Sequence, residues 1–334
     1  MKKILLENVL VAIAILLLFS DLFLLIKIRH DRVEKERVKG LTVIDKSLLE
    51  RKFDSDLANY YKPSPNKIIE DYPKWLNQKA IYTINSKGEN ERYEYKTEKE
   101  ENTYRIITIG DSHTFGYFVN TKENYPERLE DILIKLNIEG NFCVKKNKIE
   151  VINLGVMGYD AKYAIHRFRE DGAQYNPDLV IWFIKNDDID EDVDYMKPVI
   201  EKLEVELLEK NPKLLDDPIG RYNVWRQAKK EVTMSISEDV IVNHNLELID
   251  KFIQDFKFPI IFLTYKDDIS INKLINPFVE SFSHAKLYSL LFFEEIDRLP
   301  DDHPSSNGYL LLVNRLSKQL VKDQDWLCKN VNFD

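Results

Sequence analysis

Residues 104 to 116 read Tyr-Arg-Ile-Ile-Thr-Ile-Gly-Asp-Ser-His-Thr-Phe-Gly. The apolar run Tyr104 to Ile109 suits a strand, and Gly110-Asp111-Ser112 ends it. A serine just past a buried strand, beside glycines, can present its hydroxyl at the rim of a sheet. Gly-Asp-Ser also occurs in ordinary turns, because Gly and Asp favour them. Almost 200 residues later comes Asp301-Asp302-His303-Pro304. A nucleophile, a base and an orienting acid are thus available in the order serine, acid, histidine.

Outward from that stretch, the chain alternates strands and helices. Ile149 to Asn153 reads as a second strand, and Asp178 to Ile184 as a third. The third is nearly all apolar, as a central parallel strand buried on both faces should be. Phe258 to Thr264 and Ala285 to Leu290 read as a fourth and fifth. Helices are expected over Tyr125 to Leu136, Ala161 to Asp171, Ser237 to Phe256 and Ser305 to Val321. Ser305 or Ser306 would cap the last of these. Alternation of this kind implies an α/β fold, a doubly wound five-stranded parallel sheet flanked by helices. Ligands of such sheets bind outside the carboxyl ends of the strands. Ser112, Gly158 and Asn186 all follow such ends.

Four blocks in order resemble the SGNH/GDSL hydrolase superfamily. They are Gly110-Asp111-Ser112-His113, Asn153-Leu154-Gly155-Val156-Met157-Gly158-Tyr159, Lys185-Asn186-Asp187 and Asp301-Asp302-His303-Pro304, the last followed by Gly308. The resemblance covers roughly residues 80 to 325 and implies a flavodoxin-like three-layer fold. It implies Ser112 as nucleophile, His303 as base, and an oxyanion hole from the Ser112 and Gly158 backbone N–H groups with the Asn186 amide. Many members place the acid three residues before the histidine, where this chain has Pro300. Others place it two residues before, which fits Asp301, with Asp302 and Asp297 as further candidates. Ile184 stands where the third block often has glycine. His113 stands where many members carry Leu or Phe and could contact substrate. The implied activity is a serine esterase or acylhydrolase removing an O-acyl group from a polysaccharide or a lipid ester. Two alternatives stay open: an O-acyltransferase acting on a sugar hydroxyl, and an inactive glycan-binding module.

The chain has 334 residues, is 44% hydrophobic and carries a net charge of −9. That is length enough for one large α/β domain after an N-terminal segment. An acidic balance argues against a nucleic-acid partner. Only ten glycines occur, and Gly110, Gly116, Gly155 and Gly158 fall in the two site loops. No CxxC, HExxH or EF-hand pattern is present, so no metal or other cofactor is expected. Ser64-Pro65-Asn66-Lys67 matches Ser-x-x-Lys by chance, for no companion motif occurs.

After Lys2 and Lys3, residues 9 to 26 are apolar except Ser20 and Asp21, about enough to span a bilayer as a helix. No Ala-x-Ala site and no lipobox cysteine follows. The expectation is a transmembrane signal anchor over residues 1–30, then a stalk and lead-in over 31–100. The hydrolase domain follows over 101–325. Charges flank the span on both sides, so the positive-inside rule does not orient it. The resemblance favours a single-pass membrane protein with its domain outside the cytoplasm. Residues 189–232 interrupt the strand–helix pattern and read as a lid, or else a solvated surface helix. Within them, Asp190, Glu191, Asp192 and Asp194 read as a solvated acidic cluster. His30 and His284 read as surface positions. Cys143 and Cys328 could form one disulfide or remain two thiols.

Overall fold

In the computed structural model, residues 49–51, 57–211 and 217–328 are described. Two small antiparallel pairs come first, β1 (Leu49–Arg51) with β2 (Tyr61–Pro63) and β3 (Lys67–Asp71) with β4 (Ala80–Ile84). The main run follows: β5 (Thr103–Gly110), α1 (Ser112–Phe115), α2 (Tyr125–Ile138), β6 (Lys148–Asn153), α3 (Ala161–Arg167) and β7 (Leu179–Phe183). Then come α4 (Asn186–Asp190), α5 (Val193–Lys210), α6 (Pro218–Thr233) and α7 (Glu238–Asp255). The chain closes with β8 (Ile260–Tyr265), α8 (Ile269–Ser281), β9 (Ala285–Leu291), α9 (Ser306–Lys322) and α10 (Gln324–Leu327).

The five expected strands form one sheet in the order β6-β5-β7-β8-β9, and every pairing is parallel. All eight residues of β5 and all five of β7 are buried, which is why both read as continuous apolar runs. Alternate side chains enter two cores. Ile107, Ile152, Val180 and Phe262 pack with Tyr163 of α3, Phe252 of α7 and Ile271 of α8. Ile106, Val151, Ile181 and Ile261 pack with Leu129 and Leu133 of α2 and Leu312 and Leu316 of α9. Strand order reverses between β5 and β7. The crevice at that reversal is where such sheets hold ligands, and Ser112 and Asn186 lie on its two sides.

The stretch read as a lead-in belongs to the folded unit from Leu57 onward. Leu57, Tyr60 and Tyr61 are buried in the main core. Leu76, Tyr82 and Ile84 pack with Phe115, Phe118 and Met157 in a smaller one. Arg105 of β5, fully buried, pairs with Glu150 at 2.6 Å and donates to the carbonyls of Thr97 and Tyr175 at 3.1 and 2.7 Å.

The interruption at 189–232 is a helical insertion with its own core. Met196, Ile200 and Leu203 of α5 meet Val224, Ala228 and Val232 of α6, with Ile241 of α7. The acidic cluster within it is not solvated, which corrects the sequence reading. Asp194 accepts from Lys162 Nζ at 2.7 Å and Tyr163 OH at 2.5 Å. Glu191 accepts from Trp225 Nε1 at 2.6 Å, and Lys229 Nζ lies 2.6 Å from Asp190. His284 is also buried, its Nε2 2.9 Å from the Ile253 carbonyl, and not a surface position.

Cys143 and Cys328 form a disulfide with Cα atoms 5.4 Å apart, tying the loop after α2 to the end of α10. The expected membrane anchor at 1–30, most of the stalk and His30 lie outside the described residues. Among those described, no helix is long and apolar enough to cross a membrane.

Candidate active site

Ser112 stands at the start of α1, directly after β5. Asp111 caps that helix, its Oδ1 accepting from the His113 backbone N–H at 2.8 Å. The serine Oγ lies 2.7 Å from His303 Nε2, and His303 Nδ1 lies 2.7 Å from Asp301 Oδ2. Asp301 Oδ1 also accepts from the His303 backbone N–H at 3.3 Å. The three residues thus form one hydrogen-bonded line across 191 positions of sequence.

The segment carrying Asp301 and His303 is fastened at several points. Leu299 N–H donates to the His303 carbonyl at 2.8 Å, and Ser305 N–H to the Asp297 carbonyl at 2.9 Å. Ser305 also caps α9, its Oγ accepting from Gly308 N–H at 3.2 Å. Of the three candidate acids, only Asp301 meets the ring. Asp302 has φ of +71°, is exposed, and pairs with Arg298 at 2.9 Å. Asp297 accepts from the Ser305 hydroxyl at 2.6 Å. Burial opposes a charge on His303, but the Asp301 carboxylate, its hydrogen bond and Asp111 raise the ring above its ordinary pKa. Burial likewise opposes charge on Asp301, and His303 holds that carboxyl below its ordinary value.

The other two blocks converge on the same cleft, of about 840 Å³, which Ser112, Gly158, Asn186 and His303 all border. After β6, Asn153 Oδ1 accepts from Gly155 N–H at 3.0 Å. Gly158 has φ of +69°, a conformation that a Cβ would disfavour. Tyr61 OH, 2.9 Å from the carbonyls of both Met157 and Gly158, holds this loop from below. Ile184, in place of glycine, prolongs strand pairing: its N–H donates to the Leu263 carbonyl at 2.9 Å. Lys185 N–H then donates to Asp188 Oδ2 at 2.7 Å, and Asn186 opens α4. Its amide lies against Asp268. Burial raises the Asp268 carboxyl above its ordinary value, opposed by the Ile271 N–H and that amide.

Several groups at the site had no role assigned from the sequence. Lys185 Nζ sits 2.8 Å from both Asp111 and Asp187. Burial opposes the Asp111 charge, yet Lys185 holds that carboxyl far below the usual range. Asp160, buried, accepts from Tyr163 N–H at 2.9 Å and Val193 N–H at 2.8 Å, and burial pushes it up to about 7. One carboxylate therefore joins the Gly158 loop to the insertion. The only available hint was its place after the second block. The cleft is also bordered by Trp75, Tyr222, Trp225, Arg226 and Lys230, and by the acidic Asp190, Glu191 and Glu238. Among the described residues, no three His, Cys, Asp or Glu side chains converge so as to hold a metal ion.

No protein-family model and no curated protein matches the chain. Solved structures do overlap it. A family two carbohydrate esterase from Clostridium thermocellum, in complex with cellohexaose, overlaps 67% of this chain at 12% identity with a TM-score of 0.37. A two-domain esterase active on acetylated mannans, co-crystallised with mannopentaose, overlaps 70% at 13% identity with a TM-score of 0.40. The psychrotrophic esterase EstA from Pseudoalteromonas sp. overlaps 67% at 13% identity with a TM-score of 0.36. The chain spans 65%, 52% and 100% of these three proteins in turn. Overlaps this loose carry neither activity nor substrate across.

Proposed function

We propose that the chain is a serine ester hydrolase of the SGNH/GDSL type, with Ser112 as nucleophile, His303 as general base and Asp301 as its orienting acid. The observation that carries this is the pair of 2.7 Å contacts from His303 to Ser112 Oγ and Asp301 Oδ2. Neutral His303 takes the Ser112 proton on Nε2 as Oγ attacks the ester carbonyl. Asp301 keeps the other ring proton on Nδ1 and stabilises the imidazolium that forms. The oxyanion is received by the Ser112 and Gly158 backbone N–H groups and the Asn186 amide, each such donor contributing about 2.7–4 kcal/mol. Collapse expels the alcohol, protonated by His303, and leaves acyl-Ser112. Water, activated by the same histidine, releases the acid.

An O-acylated carbohydrate is the favoured substrate class, because the aromatic Trp75, Tyr222 and Trp225 border the cleft among polar neighbours. A lipid ester is the other substrate class. Residues 9–26 would hold the protein to a membrane as a single pass, with the domain outside the cytoplasm. The Cys143–Cys328 disulfide supports that side, since disulfides persist in oxidising compartments.

The test is hydrolysis of p-nitrophenyl acetate and butyrate by the full chain, Ser112→Ala and His303→Ala. Both variants should lose about 10⁴-fold or more in kcat. Wild type no faster than the variants would sink the hydrolase reading. A run with an added sugar acceptor separates hydrolysis from acyl transfer.

A further inference from the structure

Two buried polar side chains that border the cleft beside Ser112 have no task in the proposed chemistry. His113 follows the nucleophile and is 7% exposed, and neither ring nitrogen makes a hydrogen bond among the described residues. Its Nδ1 stands 3.7 Å from Asp111 Oδ2, beyond hydrogen-bonding range. Tyr265 ends β8 and is 5% exposed, and its hydroxyl also lacks a hydrogen bond among the described residues. The two rings meet edge to face with centroids 6.2 Å apart, and both border the cleft at Ser112. Each ring also packs against Phe183, a task that phenylalanine would perform without any buried polar atom. An unsatisfied buried polar group costs about 1–3 kcal/mol, which a ligand that pairs it would recover.

The chemistry of that ligand follows from the charges. Burial and Lys185 outweigh the opposing pull of Asp111 and hold His113 down to about 4, so near neutrality one ring nitrogen donates and the other accepts. Burial raises the Tyr265 hydroxyl, which therefore keeps its proton and can also do both. The Lys185 charge is taken up by Asp111 and Asp187, each at 2.8 Å. An anion would meet Asp111, and an alkyl group would leave both side chains unpaired. One uncharged hydroxyl can pair with a His113 ring nitrogen and with the Tyr265 hydroxyl.

Resting on the ester-hydrolase reading, we infer that His113 and Tyr265 form a subsite for a substrate hydroxyl beside the scissile ester. The site thereby selects hydroxylated esters over alkyl ones. A hydroxyacyl group and a sugar hydroxyl next to the esterified one both offer this chemistry.

Two ester pairs distinguish the sources: p-nitrophenyl 3-hydroxybutyrate against the butyrate, and trans-2-acetoxycyclohexanol against cyclohexyl acetate. The readout is the ratio of kcat/KM within each pair. Wild type should favour the hydroxylated member at least tenfold in one pair, since sites built for a hydroxyl reject analogues lacking it. That pair identifies the source. His113→Phe and Tyr265→Phe should each bring the ratio to within about twofold of unity, whereas His113→Gln, neutral with a donor and an acceptor, should retain most of it. Partial unfolding cannot imitate this, because both members of a pair meet the same sample. Ratios near one in wild type, or unchanged in the Phe variants, overturn the subsite and leave the hydrolase standing. Failure to hydrolyse all four esters overturns it as well. Labelling of Ser112 by a fluorophosphonate then decides whether the serine-hydrolase reading falls with it.

Discussion

Asp301 and Asp302 are neighbours in sequence and opposites in position. One meets the His303 ring at 2.7 Å; the other turns through a left-handed φ of +71° into solvent and pairs with Arg298. The spacing of two residues before the histidine favoured Asp301, with Asp302 and Asp297 behind it, and the turn brings Asp301 to the ring. Asp301→Asn should lower kcat about 10³–10⁴-fold by disturbing the tautomer of His303, and Asp302→Asn should stay within about threefold of wild type. The pH profile carries a second signature. Only neutral His303 can act as base, and its pKa is raised above the ordinary 6.5 because Asp301 and Asp111 outweigh burial. The rising limb of kcat/KM should therefore be centred above pH 6.5, and Asp301→Asn should move it to lower pH by removing the main stabiliser of the charged ring. A limb centred below 6.5, or one that does not move, would exclude His303 as the titrating base. Lys185 was legible as a residue and not as a partner: its ion pair with Asp111 joins the ends of two strands that only the sheet brings together.

Elements followed the sequence where burial imposed a period. Parallel strands covered on both faces could be read as apolar runs, and α9 from its stripe of Tyr309, Leu312, Val313, Leu316 and Leu320. The pairs β1–β2 and β3–β4 were missed because strands of three to five residues are too short to show a period. The insertion resisted for another reason. Its acidic residues find partners such as Lys162 and Trp225 more than thirty positions away, outside any local window. One element boundary bears directly on the site. A Cβ on Gly308 would stand 2.3 Å from the Asp297 carbonyl and 2.7 Å from Ile296 Cγ2. The first turn of α9 thus lies hard against the segment that presents Asp301 and His303. Gly308→Ala should push that segment off Ser112 and lower kcat/KM at least tenfold, the scale expected when a catalytic group shifts by about 1 Å. Far-ultraviolet circular dichroism should show the helix content intact. Full activity in the alanine variant would mean that the segment yields freely.

At the scale of the molecule, one sheet with helices on both faces carries the fold, and the disulfide fastens its far end. The pairing of Cys143 with Cys328 was not legible, since 185 positions separate them and only the packing of α10 beside the loop after α2 brings them within reach. Replacing both by alanine should cost roughly 2–4 kcal/mol and lower Tm by about 5–10 °C in a domain of this size, read by scanning calorimetry. An unchanged Tm would mean that the native contacts alone hold α10 in place. The bond has a further consequence, topological rather than energetic. It closes residues 143 to 328 into a covalent ring that contains Gly158, Asn186, Asp301 and His303, while Ser112 sits on the tail entering it. A single proteolytic nick anywhere inside that ring opens the circle without releasing a fragment. The nicked protein should migrate as one species on a non-reducing gel and as two after thiol treatment.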